Sequence, residues 1–254
     1  MNKALIKSRF AKSLDTYEQQ ADVQLHIAQV LVREARPYLS VYCDRLLEIG
    51  CGTGFLTREL LSDLSIQQMY LNDLVDMSSR MEQLIGLEHK HTEFSFIPGD
   101  AEEIIFPYDL QAVFSASSIQ WFDDLPKFFA KVNDALLPEG MFLFNSFGPA
   151  NLNEIKTLMG EGLYYPDADE LSKMLSDFEI LEMWDENLVR YFESPRAVLH
   201  HLKATGVTAT HANFRWTKSS LIAFENTYQD QFGCEGKVTL SWQIYYFVCR
   251  KKII

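Results

Sequence analysis

The sequence predicts an α/β domain in which helices cover both faces of a mostly parallel sheet. From residue 45 to 148, short apolar runs alternate with amphipathic stretches, as in parallel strands joined by helical crossovers. The stretch "LLEIGCGTGF" places three glycines directly after an apolar run, which is typical of a tight strand-to-helix turn. Two later apolar segments do not follow this alternation of strands and crossover helices, so they predict an antiparallel edge of the sheet.

Composition narrows the class of protein. The chain has 254 residues, of which 47% are hydrophobic, and a formal net charge of −12, so a general nucleic-acid surface is not expected. Its four cysteines have neither metal-finger nor redox spacing, which favours reduced thiols in a cytoplasmic protein. No window approaches the roughly 20 apolar residues that span a bilayer, and the first residues lack the apolar core of a secretory signal.

The elements of the first half follow in order. An amphipathic helix is expected over residues 18–39, because Ala21, Leu25, Ala28 and Val32 share one helical face. Five strands are then predicted, at "RLLEIG", "QQMYLNDL", "FSFIPGDAEEI", "LQAVFSASS" and "GMFLFNSFG". Helices are expected at "FLTRELLSDL", at "MSSRMEQLIGL" and over residues 123–137.

The second half predicts a cap and two further strands. Two short helices are expected within residues 150–176, around "GEGLYYPDADE", and a strand at "FEILEMWDENLVRYF". Residues 194–231 read as helical with a break at "TGVTATHANFRWT", before a terminal strand at "KVTLSWQIYYFVCR". We therefore expect seven strands in one domain over residues 1–254. Its parts are N-terminal lid helices (1–40), a cofactor-binding core (41–148), a late strand with helical cap insertions (149–234) and the terminal strand (235–254).

Acidic side chains follow three of the predicted strands. Ligands of such sheets bind at the carboxyl ends of the strands, so Glu48, Asp73, Asp100 and the segment from Ser115 to Ser118 should line one crevice. A dinucleotide is disfavoured there, because the loop is one residue shorter than G-x-G-x-x-G and carboxylates repel a pyrophosphate. S-adenosylmethionine carries a sulfonium and an ammonium, which suit these acids. Asp73 is placed to bind ribose hydroxyls and Asp100 the adenine amino group.

At this point the chain resembles the class I S-adenosylmethionine-dependent methyltransferases. The residues that carry the resemblance are "LLEIGCGTG", "YLNDLVDM", "GDAEEI" and "VFSASSIQW". It implies a Rossmann-like sheet, S-adenosylmethionine as methyl donor and no metal. The cofactor-binding candidates are Glu48, Gly50, Cys51, Gly52, Gly54, Asp73, Leu74, Asp100, Ala101, Glu102 and Ser115.

A closer resemblance lies outside the cofactor motifs. The segments "RFAKSLDTYEQQADVQLHIAQVL", "SASSIQWFDDL", "FNSFGPANLNEI" and "SPRAVLHHLKATGVTA" resemble the malonyl-acyl-carrier-protein O-methyltransferases of biotin synthesis. That family implies methylation of the free carboxylate of a malonyl thioester on acyl carrier protein. The ester masks the charge, so that fatty-acid enzymes can extend the chain toward pimeloyl.

The expected chemistry requires no general base, because a carboxylate is already an anionic nucleophile at pH 7. We expect Tyr17 and the N-terminal segment to close over the cofactor, and Gln120 and Trp121 to shape the acceptor pocket. Lys203 and His201 are candidates to bind the substrate carboxylate, with Arg196 third.

The carrier protein is acidic, so docking would need a local basic patch. Its candidates are Lys3, Lys7, Arg9, Lys12, Arg196 and Lys203. Three alternatives stay open: an O- or C-methyltransferase of another small acid or a quinone, a non-catalytic protein that kept the fold, and a nicotinamide-dependent oxidoreductase.

Overall fold

A computed structural model describes residues 1–89, 91–160, 162–207 and 216–253. Its centre is a sheet of eight strands in the order β3-β2-β1-β4-β5-β8-β6, with β7 paired to β8. The strands are β1 (Tyr42–Ile49), β2 (Ser65–Asp73), β3 (Glu93–Pro98), β4 (Leu110–Ser115), β5 (Leu136–Phe147), β6 (Phe178–Phe192), β7 (Gly233–Cys234) and β8 (Lys237–Lys251).

The first five strands are parallel, whereas β8 is antiparallel to both β5 and β6. The predicted α/β class, with a mostly parallel sheet and an antiparallel edge, is confirmed. The seven predicted strands are present, and the two-residue β7 is additional. It forms a hairpin with β8 through Glu235 and Gly236, both with positive φ, as a two-residue hairpin turn requires.

Nine α-helices lie in the described part of the chain. They are α1 (Lys3–Gln20), α2 (Asp22–Ala35), α3 (Phe55–Asp63), α4 (Ser78–Glu88), α5 (Leu125–Ala135), α6 (Asn153–Met159), α7 (Ala168–Met174), α8 (Pro195–Ala204) and α9 (Lys218–Phe232). The single helix expected over residues 18–39 is in fact the end of α1, a break at Ala21, and α2. Residues 208–215, within the predicted break after α8, lie outside the described residues.

The fifth strand begins four residues earlier than predicted. Pro138 disfavours helical geometry at the residue before it, so the chain leaves α5 at Ala135 and is extended from Leu136. Asp124 caps the start of α5 by accepting from Lys127 N at 3.0 Å, which satisfies an N–H group without a partner inside the helix.

Apolar side chains fill both faces of the sheet. On one face, aromatic rings from β5 and β8 stack: Phe144 lies 4.6 Å from Phe142 and 4.9 Å from Phe247, measured between ring centroids. On the other face, buried residues of α2 and α3 pack against β1 and β2. Strand order reverses between β1 and β4, and the crevice at such a reversal is where ligands of open α/β sheets bind.

Candidate functional site

The glycine loop after β1 is held by the neighbouring strand. The amides of Gly50 and Cys51 both donate to the carbonyl of Asn72, at 2.8 and 2.9 Å. Gly50 and Gly52 have backbone φ angles of +72° and +51°, which residues other than glycine rarely adopt. A Cβ at Gly50 would lie 2.2 Å from Ser118 Oγ, whereas a Cβ at Gly52 would meet no atom within 4 Å. Gly52 therefore leaves open space for a ligand.

Glu48 is a buried carboxylate at the end of β1. Thr57 donates to its Oε2 at 2.7 Å, while Oε1 has no partner. The residue is 1% exposed, and burial, with a smaller contribution from Asp73, raises its pKa to about 8. An unpartnered carboxylate oxygen at the base of a crevice fits a cationic ligand, because charge is costly to bury unpaired.

Asp73 ends β2 and stabilises two loops. Its Oδ2 accepts from Gly52 N at 2.9 Å and its Oδ1 from Val75 N at 2.8 Å. Burial raises the pKa of this carboxyl. The neighbouring Asn72, which the sequence analysis missed, donates to the carbonyls of Ile97 and Gly99 and so ties β2 to the loop after β3.

Asp100 and Glu102 differ in their positions. Asp100 accepts from Glu102 N at 3.1 Å and lines the cleft described below together with Ala101. Glu102 instead accepts from the amides of Asp123 and Asp124 and from Lys3 Nζ at 2.5 Å, and it does not line the cleft. Its side chain therefore holds the loop before α5 in place.

The predicted Ser115 also serves the scaffold. Its hydroxyl is fully buried and donates to the carbonyl of Ile49 at 3.2 Å, which joins the ends of β4 and β1. The other three residues of the predicted segment, Ala116, Ser117 and Ser118, do line the cleft. Gly54 does not line it either; it begins the turn into α3 and packs against Leu84 and Met81.

A cleft lies at these strand ends, and α1 covers it. Glu48, Gly50, Cys51, Gly52, Asp73 and Leu74 line its floor, and Lys3, Lys7, Phe10 and Tyr17 of α1 line the opposite side. The Tyr17 ring lies 6.1 Å from that of Phe55, and burial raises the pKa of its hydroxyl. Lys3 contacts Asp100 at 3.3 Å, so an ion pair joins α1 to the opposite side of the cleft.

A second, smaller cavity, here called the chamber, adjoins the cleft. The two share five lining residues: Phe10, Tyr17, Gln24, Ser117 and Trp121. The predicted Gln120 lines the chamber, and so do Phe147 at the end of β5, Tyr165 before α7 and Trp242 on β8. Sequence reasoning missed the latter three and Gln24, because nothing in a helical or alternating pattern separates a chamber-lining side chain from one in the core.

The structure does not bring the three predicted cations to the chamber. Arg196 is exposed and forms an ion pair with Glu225 at 2.6 Å, and Lys203 is exposed on α8. His201 is buried between Phe192 and Trp242, with ring centroids 5.1 and 5.8 Å away, and burial lowers its pKa. These positions do not support a role for the three in binding the substrate carboxylate.

Among the described residues, no group of three or more His, Cys, Asp or Glu side chains could hold a metal ion. Within the same ranges, no helix is both long and apolar enough to cross a bilayer.

Solved structures share this fold. The YcgJ protein of Bacillus subtilis is 15% identical, with a TM-score of 0.59, and the match covers 90% of this chain and 99% of that one. Haemonchus contortus phosphoethanolamine N-methyltransferase 2, solved in complex with S-adenosyl-L-methionine, is 17% identical with a TM-score of 0.56. That match covers 94% of this chain and 57% of the other. Likeness at this identity concerns the fold, and it agrees with the predicted Rossmann-like sheet.

Sequence comparisons identify the family. Residues 47–144 match the model described as "Methyltransferase domain". The malonyl-[acyl-carrier protein] O-methyltransferase of Bacteroides thetaiotaomicron is 36% identical over 99% of both chains. The enzyme of that name from Acinetobacter baylyi is 37% identical over 99% of this chain and 98% of its own length. The similarity thus includes the cap and α1 as well as the cofactor half, and the chain belongs to the malonyl-[acyl-carrier protein] O-methyltransferase family.

Proposed function

We propose that this protein transfers a methyl group from S-adenosylmethionine to the free carboxylate of a malonyl thioester carried by acyl carrier protein. The observation that carries the proposal is the similarity of 36% over 99% of the chain, which extends through the residues that form the chamber. The methyl ester would then prime pimeloyl synthesis for biotin.

The residues of the cleft fit S-adenosylmethionine. Glu48 Oε1 has no partner, and three carboxylates, Glu48, Asp73 and Asp100, line a space that Gly52 keeps open. Glu48 would attract the cationic end of the cofactor, while Asp73 and Asp100 would hold its ribose and adenine. Because the loop contains no Lys or Arg, a phosphate-bearing cofactor would lack a counter-charge there.

The reaction needs an in-line arrangement more than acid–base assistance. A carboxylate oxygen forms the new bond to the methyl carbon, the electrons of the carbon–sulfur bond stay on sulfur to give S-adenosylhomocysteine, and no proton moves. The protein's contribution is to hold the reactants together and to exclude water. Such positioning supplies about 7–11 kcal/mol in favourable cases. Phe10, Tyr17 and Trp121, which lie between cleft and chamber, would exclude water at the junction.

An acidic carrier protein would have to dock on cations that are not already paired within the enzyme. Lys3 and Arg196 have carboxylate partners, so these two are the weaker docking candidates. Lys7 and Lys12 on α1 and Lys203 on α8 are exposed, and α1 packs beside α8 where Phe10 meets Gly206. The exposed face of α1 and α8 is therefore the proposed docking surface, next to the chamber.

Mass spectrometry of malonyl carrier protein after incubation with enzyme and S-adenosylmethionine tests the proposal. The expected result is the gain of one methyl group that an esterase removes. Parallel reactions with malonyl-coenzyme A, free malonate and other small acids define the acceptor. Methylation of a small acid or a quinone, with none of malonyl carrier protein or malonyl-coenzyme A, would refute the proposed substrate.

A further inference from the structure

We propose that uncharged donors bind the acceptor carboxylate where the cleft meets the chamber, with Ser117 Oγ and Trp121 Nε1 donating to it. We further propose that amide carbonyl oxygens of the chamber exclude a second anionic group. The proposal rests on the proposed function and names the groups that would bind the acceptor in that reaction. It replaces the cations Lys203, His201 and Arg196 in that role.

The first support is a set of buried polar atoms that lack partners. Five side chains that line the chamber each have such an atom: Gln24 Oε1, Ser117 Oγ, Gln120 Oε1, Trp121 Nε1 and Asn151 Oδ1. Most buried polar groups in native proteins are hydrogen-bonded. Five exceptions around one cavity indicate that a polar ligand completes them.

The second support is position. Ser117 and Trp121 line both the cleft and the chamber, so a group bound to them lies beside the cofactor site. The Trp121 ring is held edge-on by Phe10, with centroids 5.7 Å apart. Ser117 has a φ of +52°, and its amide donates to Asn145 Oδ1 at 2.6 Å. This amide contact holds the residue in a conformation that is unfavourable for serine.

The third support is charge. Within the described residues, no side chain that lines the chamber carries a formal charge. A lysine or arginine there would stabilise the carboxylate as a salt bridge and would remain buried and unpaired once the carboxylate became a neutral ester. Neutral donors hold the anion by charge-assisted hydrogen bonds and leave no such charge behind after the transfer.

The chamber's acceptors give the site its selectivity. Gln120 Nε2 donates to the carbonyl of Ser117 at 2.7 Å, which leaves Oε1 of the same amide without a partner. This oxygen, together with Gln24 Oε1 and Asn151 Oδ1, can accept hydrogen bonds from amide N–H groups such as those of a carrier's prosthetic arm. Carbonyl oxygens repel a second carboxylate, so the site accepts a half-thioester of malonate and disfavours the free diacid.

Removal of single donors tests the proposal. Ser117→Ala deletes only the hydroxyl, whereas Trp121→Phe deletes Nε1–H together with the pyrrole part of the indole. Trp184→Phe on β6, where Trp184 stacks on Tyr246, deletes the same atoms and is the matched control. Each donor variant should raise KM for malonyl carrier protein about 10- to 100-fold, as expected for a hydrogen bond to a charged group. Ser117→Ala should not lower Tm, because the deleted hydroxyl has no partner in the free protein, whereas Trp121→Phe also loses packing against Phe10. The control should leave KM as in the wild type.

A binding measurement, independent of turnover, tests selectivity. With S-adenosylhomocysteine present, monomethyl malonate should raise the Tm of the wild type more than an equal concentration of malonate does, and Trp121→Phe should abolish that rise. An unchanged KM in both donor variants, a Tm lowered by Ser117→Ala, or stronger stabilisation by malonate would overturn the inference. If the wild type does not methylate malonyl carrier protein at all, the proposed function itself fails, and the two failures are thus distinguishable.

Discussion

Replacement of Glu48 by Gln measures how much the burial of a charged carboxylate lowers the free energy of unfolding. The substitution keeps the shape of the side chain and its contact with Thr57 Oγ1, now 2.7 Å from Oε2, but removes the charge. Because the pKa of Glu48 is raised from 4.5 to about 8, the folded protein binds a proton that the unfolded chain releases above pH 4.5. The stability from this group is therefore fully present below about pH 4.5 and is lost as pH rises toward 8.

The magnitude follows from the two pKa values. Between pH 5 and pH 7, the free energy of unfolding of the wild type should fall by about 2–3 kcal/mol relative to Glu48→Gln. Urea unfolding of both proteins at intervals of pH, without cofactor, measures this difference. Asp73 lies beside Glu48 and is present in both proteins, so the comparison cancels most of its contribution.

Two parallel pH profiles would refute this reasoning, because they would mean that Glu48 is solvated or paired in solution. The same variant should bind S-adenosylmethionine about 10- to 100-fold more weakly at pH 8, since it loses a charge-assisted contact. Calorimetry provides that measurement. An unchanged affinity would mean that Glu48 does not bind the cofactor, and it would not affect the prediction for stability.

Three other predictions test the glycine loop, the cap and the docking surface. Gly50→Ala should destabilise the fold by about 2–5 kcal/mol, because backbone strain adds to a clash with Ser118. Gly52→Ala should destabilise it by only about 1–2 kcal/mol and should mainly weaken binding of S-adenosylmethionine. Urea unfolding measures the first effect and calorimetry the second, and equal effects of the two substitutions in both assays would contradict the assignment. Lys203→Met should leave the rate on malonyl-coenzyme A within about twofold of the wild type, as for most exposed substitutions, and a large loss would restore a direct role for this lysine. The kcat/KM for malonyl carrier protein should fall as added salt shortens the Debye length from about 10 to about 3 Å. A kcat/KM that does not change with salt would contradict electrostatic docking.

The cofactor half of the fold was predictable because local patterns determine it. A glycine loop between a buried strand and a helix allows few structures, and β1, β2 and β4 bring their last residues to one edge of the sheet. That rule placed Glu48, Asp73 and Asp100 around one cleft without any tertiary information. It also selected Ser115, whose hydroxyl binds the carbonyl of Ile49, because strand ends also supply the side chains that bind backbone groups of neighbouring loops.

The acceptor half could not be predicted in the same way. The chamber is lined by Gln24 from α2, Tyr165 from the cap and Trp242 from β8, which are far apart in the chain and are brought together only by tertiary packing. The sequence favoured Lys203 and His201 as the groups that bind the substrate carboxylate, with Arg196 third, since sequence shows charge but not the direction of a side chain. Buried atoms without partners, such as Trp121 Nε1, become visible only in coordinates.

The position of α1 has a consequence for the order of events. Phe10 and Tyr17 belong to this one helix, and both line the cleft and the chamber. Displacement of α1 would therefore hydrate both spaces at once, and its return would close both. Whichever ligand arrives first makes the ordering of α1 less costly for the second, so donor and acceptor should bind with positive cooperativity through a shared helix.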